Sequence, residues 1–286
     1  MKSKPVTVWP DRTPNGVWYY KGPCAALLAE TNLNMDALWP FLQGFGEDLW
    51  KYMEDKPQGS DSEMLAKIAG QICYMSFDEK RTKNAQIAKY LTHIKESGHG
   101  SVLEHASATL LLWGIDRAVT HELVRHRAGM AYSQVSQRYC SGKTLRFVEH
   151  PIFQADPKLH EEFIARIEKT YADYTALTEE LYAKQAAGDE ALSDEFKTGL
   201  RKKVQQVARA VLTNDTEAPI VVTGNMRAWR HFLEMRSSEA ADVQIRRLAN
   251  AVFKVLSVQN PILFADYQRL ELVDGTFILN TPTKKV

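Results

Sequence analysis

Fifteen residues near the middle of the chain, RHRAGMAYSQVSQRY from Arg125 to Tyr139, restrict how it can fold. The segment holds three arginines, one histidine, two serines, two glutamines and two tyrosines, and few aliphatic residues. Burying so many donors without partners is costly, and phosphate is a natural partner for such a group. The segment therefore predicts a site for an anionic ligand.

Composition narrows the class of protein. The chain has 286 residues, 44% of them apolar, and a formal net charge of +1, which argues against a general nucleic-acid binder. Its three cysteines, Cys24, Cys73 and Cys140, have neither disulfide-framework nor zinc-site spacing, so we expect no metal. We find no signal peptide and no apolar run of about 20 residues, and therefore expect a cytoplasmic protein that does not enter a membrane.

The hydrophobic pattern predicts an α+β fold, with a central, mostly antiparallel sheet covered by several helices. Strands are expected at 105–113 and 145–148, and a strand or extended loop at 131–139. Helices are expected at 34–54, from a cap at Asp61 or Ser62 to Met75, and at 84–96, 116–124, 157–187, 193–212, 225–236 and 238–256. Residues 1–32, broken by prolines, are expected to be irregular, and residues 1–60 to form an extension packed on a single domain, 61–286.

The polar segment has two parts. Successive helical residues point about 100° apart, so Arg125, His126 and Arg127 cannot all grip one small ligand from a regular helix. At a helix end they could serve two ligands, or simply form a solvated basic end that offsets the helix dipole. In a strand, Gln134, Ser136 and Arg138 would share one face, and the alternative is a polar edge strand. Together the two parts favour a ligand site.

The residues also resemble a known family. RHR followed by YSQVSQRY is similar to the signature of flavin-dependent thymidylate synthases. Three further segments resemble that family in the same order: GHGSVLEHA at 98–106, Arg209 in RAVL, and GNMRAWRHFLEMR at 224–236. The resemblance covers roughly residues 65–270 and leaves residues 1–60 unexplained.

The resemblance implies reductive methylation of dUMP to dTMP, with methylenetetrahydrofolate and NADPH as co-substrates and FAD as hydride carrier. It implies a homotetramer whose sites lie at subunit interfaces. Arg236 and Ser136 would be catalytic, Arg236 by stabilising uracil ionised at N3 and Ser136 by contacting dUMP. The dUMP residues would be Glu122, Arg125, Gln134, Ser136, Gln137, Arg138, Arg209 and Arg236. The FAD residues would be Ser101, Arg125, His126, Arg127, Gln134, Asn225, Arg227 and His231.

Some positions depart from the family pattern. Glu122 stands where the family has glutamine, and a carboxylate there would repel an anion unless it pairs with Arg125 or is protonated. The AGMA turn is one residue longer than usual, Thr213 replaces a proline and His231 an asparagine. Asn225 could be a plain helix cap, and Glu104 a local hydrogen-bond partner. The alternative functions are a related flavin- and folate-dependent methylase of another uridine nucleotide, a nucleic-acid-binding protein, and a non-catalytic scaffold.

Overall fold

The structure, a computed structural model, describes residues 3–44, 58–76, 86–139, 142–186, 197–284 and 286. The strands in these ranges are β1 (Asp11–Arg12), β2 (Trp18–Tyr20), β3 (Cys24–Glu30), β4 (Ser107–Trp113), β5 (Met130–Gln134), β6 (Arg146–Val148), β7 (Ile220–Asn225), β8 (Gln268–Glu271) and β9 (Phe277–Asn280). The α-helices are α1 (Trp39–Gln43), α2 (Asp61–Tyr74), α3 (Ile87–Glu96), α4 (Arg117–Leu123), α5 (Pro151–Ala155), α6 (Pro157–Ala186), α7 (Lys197–Ala208), α8 (Met226–Arg236) and α9 (Val243–Gln259).

A four-stranded sheet lies at the centre, in the order β3-β4-β7-β5, and each neighbouring pair is antiparallel. Every second residue of β4, namely Ala108, Leu110 and Leu112, is buried in the main hydrophobic core, because successive strand residues point to opposite faces. Helices α8 and α9 pack on the sheet and contribute Trp229 and Leu248 to that core. The predicted α+β fold with a mostly antiparallel sheet is therefore confirmed.

Two smaller sheets flank the centre. Strand β2 pairs with β1 in antiparallel and with β6 in parallel, and Phe147 of β6 packs against Phe163 of α6 in a second core. Strands β8 and β9 form a hairpin after α9. None of the described helices is both long and apolar enough to cross a membrane.

The expectation that residues 1–32 are irregular is wrong, because β1, β2 and β3 lie there. The four prolines lie outside these strands, with Pro5 and Pro10 before β1, Pro14 between β1 and β2, and Pro23 between β2 and β3. Strand β3 runs along the edge of the central sheet, with Leu27 opposite Leu110. Part of the segment that we predicted as an extension therefore belongs to the sheet that carries the site.

Several helix boundaries differ from prediction because capping residues set them. Ser60, rather than Asp61 or Ser62, caps α2, through a reciprocal pair of hydrogen bonds with Glu63. Helix α9 begins at Val243 rather than near Ser238, because Asp242 caps it by accepting a hydrogen bond from the Gln244 amide at 2.8 Å. The helix predicted to reach residue 212 also ends earlier, because α7 stops at Ala208 and Arg209–Val211 form a 3-10 turn.

The first predicted helix, 34–54, is described only in part. It consists of a 3-10 turn at Met35–Ala37 and the short α1, and residues 45–57 lie outside the described residues. The start of the predicted helix at 84–96 also lies outside them, and α3 is described from Ile87. Its inward residues Ile87, Tyr90, Leu91 and Ile94 are buried as predicted.

Candidate functional site

The RHR triplet lies in the turn between α4 and β5. Asp116 caps α4 by accepting a hydrogen bond from the Val119 amide at 2.8 Å, and the helix ends at Leu123, before the triplet. The Tyr132 hydroxyl holds the turn by donating to the carbonyl oxygens of Leu123, at 3.1 Å, and His126. Burial raises the pKa of Tyr132 to about 12, so this hydroxyl stays protonated and remains a donor at neutral pH.

Arg236, in the last turn of α8, is held by this turn. Its Nε donates to His126 Nε2 at 2.8 Å, its Nη1 to Glu122 Oε2 at 2.9 Å, and its Nη2 to the Glu122 carbonyl oxygen at 3.2 Å. The Glu122 carboxylate therefore pairs with Arg236 and not with Arg125, which corrects the sequence expectation. The Arg236 side chain keeps 20% of its surface exposed, so a fixed cation still faces solvent.

His126 is the neutral member of this group. Its pKa is lowered to about 4, chiefly by burial and also by the neighbouring Arg236 and His231. The ring is therefore neutral at neutral pH, and because Arg236 Nε can only donate, the tautomer that fits this contact carries its proton on Nδ1 and accepts through Nε2. The His126 ring also meets the rings of His231 and Phe232 edge-on, at centroid distances of 5.7 and 5.4 Å. His231 and Arg236 therefore share one neighbour, although the sequence suggested that they serve separate ligands.

Asn225 and Arg227 lie where β7 runs into α8. The Asn225 side chain caps α8 by accepting from the Ala228 backbone amide at 2.8 Å, and the Asn225 backbone amide donates to the Gly129 carbonyl at 3.0 Å. Gly129 has a φ of +72°, and a β carbon there would lie 2.5 Å from Asn225 Nδ2, so the turn requires glycine. Arg227 Nη1 donates to Glu104 Oε1 at 2.6 Å.

Residues of the GHGSVLEHA segment reach the same place. Gly100–Glu104 form a 3-10 turn in which Ser101 is exposed, and Glu104 holds Arg227. Strands β4 and β5 begin where β7 ends, because Ser107 pairs with Asn225 and Met130 with Gly224. The Gly100–Glu104 turn, the RHR turn and the start of α8 therefore meet at this end of the sheet. Arg125 and Arg127 are exposed there. We call this end of the sheet the RHR end. The residues predicted to bind ligands that lie here are Ser101, Glu122, Arg125, His126, Arg127, Asn225, Arg227, His231 and Arg236.

The second part of the polar segment, from Val135 to Tyr139, follows the end of β5 and is not part of the sheet. Strand β5 ends at Gln134, so the expected shared face of Gln134, Ser136 and Arg138 does not form. Instead Ser136 closes a turn: its Oγ accepts from the Arg138 amide at 3.3 Å and its carbonyl from the Tyr139 amide at 3.1 Å. The Tyr139 ring is exposed beside two cations, Arg138 and Lys202.

A cavity of about 180 Å³ lies behind this turn, lined in part by Gln137, Tyr174 and Leu212. Gln137 Nε2 and Arg138 Nε are buried, and neither has a hydrogen-bond partner within the described part of the chain. Arg209 is exposed and lies three residues before Leu212. The Leu212 amide donates to the Arg209 carbonyl at 3.1 Å. We call this region the SQRY end; its predicted residues are Gln134, Ser136, Gln137, Arg138 and Arg209.

The two ends lie at opposite ends of β5. Met130 and Gln134 are four residues apart in an extended strand, a separation of about 14 Å. Arg125 precedes one end of β5 and Arg138 follows the other, so the two halves of the polar segment lie at opposite ends of this strand. Tyr132, which fixes the RHR turn, was not among the predicted residues, because a tyrosine within a strand is commonly read as a packing residue.

Comparison with known proteins gives consistent matches. The family model described as thymidylate synthase complementing protein matches residues 50–262. Flavin-dependent thymidylate synthases of Mycobacterium sp. (strain JLS) and Mycobacterium avium (strain 104) are 45% and 44% identical over 231 residues, which are 80% of this chain and 90% of each relative. The enzyme of that name from Corynebacterium diphtheriae is 41% identical over 224 residues, 78% of this chain and 86% of the relative.

Proposed function

Because the chain belongs to the flavin-dependent thymidylate synthase family, we propose that it converts dUMP to dTMP by reductive methylation, using FAD, methylenetetrahydrofolate and NADPH. The observation that carries the proposal is the fixed guanidinium of Arg236. It is bonded to Glu122 and to neutral His126 and remains partly exposed. A cation held in place before the reaction can stabilise negative charge that develops on a bound uracil.

Arg236 would act on the ring of dUMP. When N3 of uracil ionises, the anion polarises C5 and makes it nucleophilic, and a nearby guanidinium lowers the energy of that state. Glu122 and His126 orient the guanidinium, and the partial exposure of Arg236 leaves room for the uracil edge. No cysteine nucleophile is required; Cys24 is buried, and its thiol pKa is raised by burial.

The RHR end would bind FAD. Arg125 and Arg127 are exposed for the pyrophosphate, and Asn225, Arg227 and His231 line the start of α8 with Ser101 beside them. Helix starts and arginine side chains both favour phosphate groups. The flavin supplies hydride transfer when bound, and the protein groups named here would bind and orient it.

The SQRY end would bind the phosphate of dUMP. Gln137 and Arg138 have buried nitrogen atoms without partners among the described residues. Gln134 and Ser136 precede them in the same segment, and Arg209 lies three residues before Leu212, which lines the same cavity as Gln137. An unpaired buried donor costs free energy that a bound phosphate would recover. Two donors of this kind beside a turn therefore favour an anionic ligand over a purely structural role.

We propose that the complete site combines the RHR end of one copy with the SQRY end of another, in a homotetramer. The support is that the predicted ligand-binding side chains are divided between the two ends of β5, about 14 Å apart, and that the buried nitrogens of Gln137 and Arg138 have no partner among the described residues. Mixing an Arg236→Ala protein with an Arg138→Ala protein under subunit exchange tests this. At a dUMP concentration well below saturation, where both variants turn over slowly, the mixture should be more active than the sum of the two separate proteins. Activity equal to that sum would contradict shared sites.

The function itself is tested with purified protein. We expect visible absorption of bound flavin and formation of dTMP from dUMP, methylenetetrahydrofolate and NADPH under anaerobic conditions. Absence of both flavin and product would exclude the proposal. Replacing dUMP by UMP tests the alternative nucleotide, since a 2′-hydroxyl is the difference between them, and turnover of UMP alone would favour that alternative. A cytoplasmic location stays a prediction.

A further inference from the structure

A cluster of charged and hydroxyl side chains is buried beneath the RHR end. It consists of Lys95, Arg230, Asp266, Thr281 and Thr283, and we call it the Asp266 cluster. The Arg230 side chain is 1% exposed and that of Lys95 2%. Charged groups are buried so completely only when they are paired, so the cluster has a defined geometry.

Asp266 is the centre of the cluster. It binds Arg230 with both oxygens, accepting from Nη1 at 2.9 Å and from Nη2 at 2.7 Å. Its Oδ1 also accepts from Lys95 Nζ at 2.5 Å, and its Oδ2 from Thr283 Oγ1 at 2.7 Å and from Thr281. These bonds hold the pKa of the Asp266 carboxyl well below its usual range, despite burial.

The remaining donors of Arg230 bind the backbone of the same region. Nε donates to the Val286 carbonyl at 2.7 Å and Nη1 to the Leu263 carbonyl at 2.5 Å. Every acceptor of Arg230 named here therefore lies in residues 263–286. The family match ends at residue 262, so these contacts come from chain beyond the matched region.

The cluster joins two elements of the RHR end. Arg230 lies on α8 between Arg227 and His231, and Lys95 lies in the last turn of α3, just before Gly100–Glu104. Val286 and Arg227 both pack closely against Gly100, because a β carbon on Gly100 would lie 3.1 Å from Val286 Cα and 3.0 Å from Arg227 Nε. The segment around Ser101, the Arg227 side chain and the final residues thus meet in one packed contact.

We propose that Asp266 is a positioning residue for the flavin end of the site. Acting through Arg230 and Lys95, it fixes α8 and the Gly100–Glu104 turn relative to each other, and so sets where Arg227 and Ser101 stand. A buried ion pair adds little net stability over an apolar replacement, but its directional bonds fix orientation. This inference rests on the proposed function, because it assigns flavin to these two elements.

The test compares Asp266→Asn with Asp274→Asn. Asp274 is the matched control, because its Oδ2 accepts from the largely buried Arg246 at 2.6 Å in the same C-terminal region. The other hydrogen bonds of Arg246 go to the Thr276 hydroxyl and to the carbonyls of Ser238, Glu239 and Ala241. FAD dissociation constants are measured by absorption titration, together with melting temperatures. We expect Asp266→Asn to weaken FAD binding about tenfold, because misplacing binding groups by about 1 Å carries costs of that order or more. Asp274→Asn should lower the melting temperature and leave FAD affinity unchanged.

A milder variant covers the case in which Asp266→Asn does not fold. Thr281→Val with Thr283→Val removes two hydroxyl donors to Asp266 and keeps its charge, and should weaken FAD binding in the same direction by less. Hydrogen exchange of the Gly100–Glu104 amides supplies a readout independent of flavin. Exchange there should be faster in the Asp266 or threonine variants than in Asp274→Asn.

These outcomes separate the two proposals. If wild-type protein binds no FAD, the proposed function is wrong, and the exchange rates alone decide the positioning role. Equal FAD affinity and equal exchange in wild type and in the folded Asp266-cluster variants would overturn the positioning role. Equal losses in both aspartate variants would overturn it as well, because that result describes general destabilisation.

Discussion

The two ends of β5 satisfy their polar groups in opposite ways. At the RHR end, Arg236, His126 and Glu122 bind one another, and Tyr132 and Asn225 fix the backbone around them. At the SQRY end, buried nitrogens of Gln137 and Arg138 have no partner in the described part of the structure. The side chains of the first end are thus held by one another, whereas under the proposed function the second end would be completed by a bound phosphate. We therefore expect substitutions at the first to affect the reaction rate most, and those at the second to affect substrate affinity.

Arg236→Ala should have the largest effect. Removing a prepositioned charge that stabilises an anionic transition state lowers kcat by about 100- to 1000-fold. Flavin should remain bound, which absorption spectra will show. Arg269→Ala is the control, since Arg269 is half exposed on β8 and pairs with Glu271. Normal turnover by the Arg236 variant would remove the proposed role of the guanidinium.

The second largest effect that we expect is the dependence of folding stability on pH that the lowered pKa of His126 produces. Its pKa is lowered to about 4 from an ordinary 6.5, by burial first and by Arg236 and His231 second. Between these values the unfolded chain binds more protons than the folded one, so stability falls as pH drops from 6.5 toward 4 and is unaffected by this group above 6.5. NMR titration of the imidazole tests this. In Arg236→Gln the pKa of His126 should rise only part of the way toward 6.5, because the ring stays buried. An ordinary His126 pKa in the wild-type protein would contradict a neutral ring that accepts from Arg236.

Arg138→Ala should act mainly on dUMP affinity. A hydrogen bond to a charged group contributes about 1.5–3 kcal/mol, so binding should weaken about tenfold or more. Isothermal titration with dUMP measures the change, and kcat at saturation should fall less than in Arg236→Ala. Arg138→Lys, which keeps the charge without the forked geometry, should fall between wild type and alanine. A fall in kcat with unchanged affinity would reverse the assignment of the two ends.

Tyr132→Phe should have the smallest effect. It removes the hydroxyl that bonds the Leu123 and His126 carbonyls, at a cost of about 1 kcal/mol in the free energy of unfolding. Urea denaturation measures the loss, and Tyr74→Phe, at an exposed position, serves as the matched control. Equal stability of the two variants would show that the RHR turn does not depend on this hydroxyl.

Local patterns predicted local structure well. The cap at Asp116 and the buried stripe of α3 follow from helical spacing, and the capping role of Asn225 from its place before α8. The same patterns missed β3, because a short apolar run between prolines has no clear periodicity, and they extended β5 past Gln134 into a turn.

Long-range pairs could not be predicted from the chain alone. The Glu122 side chain meets Arg236 across 114 positions of sequence, and Arg230 meets Asp266 across 36. Spacing rules cover only neighbours within a helix or strand, so Arg125 was the only cation they placed beside Glu122. Arginine is also rarely buried, and a sequence offers no sign that Arg230 is an exception.

Gly129 limits how this protein can diversify. Its left-handed backbone and its contact with Asn225 tie the RHR turn to the residue that caps α8. A substitution there would shift Arg227, His231 and Arg236 as one body, so affinity for flavin and handling of uracil would change together. Changes in one property without the other are then expected at positions outside α8, such as the exposed Arg125 and Arg127 or Arg138 at the SQRY end, whose side chains can vary while the helix stays in place.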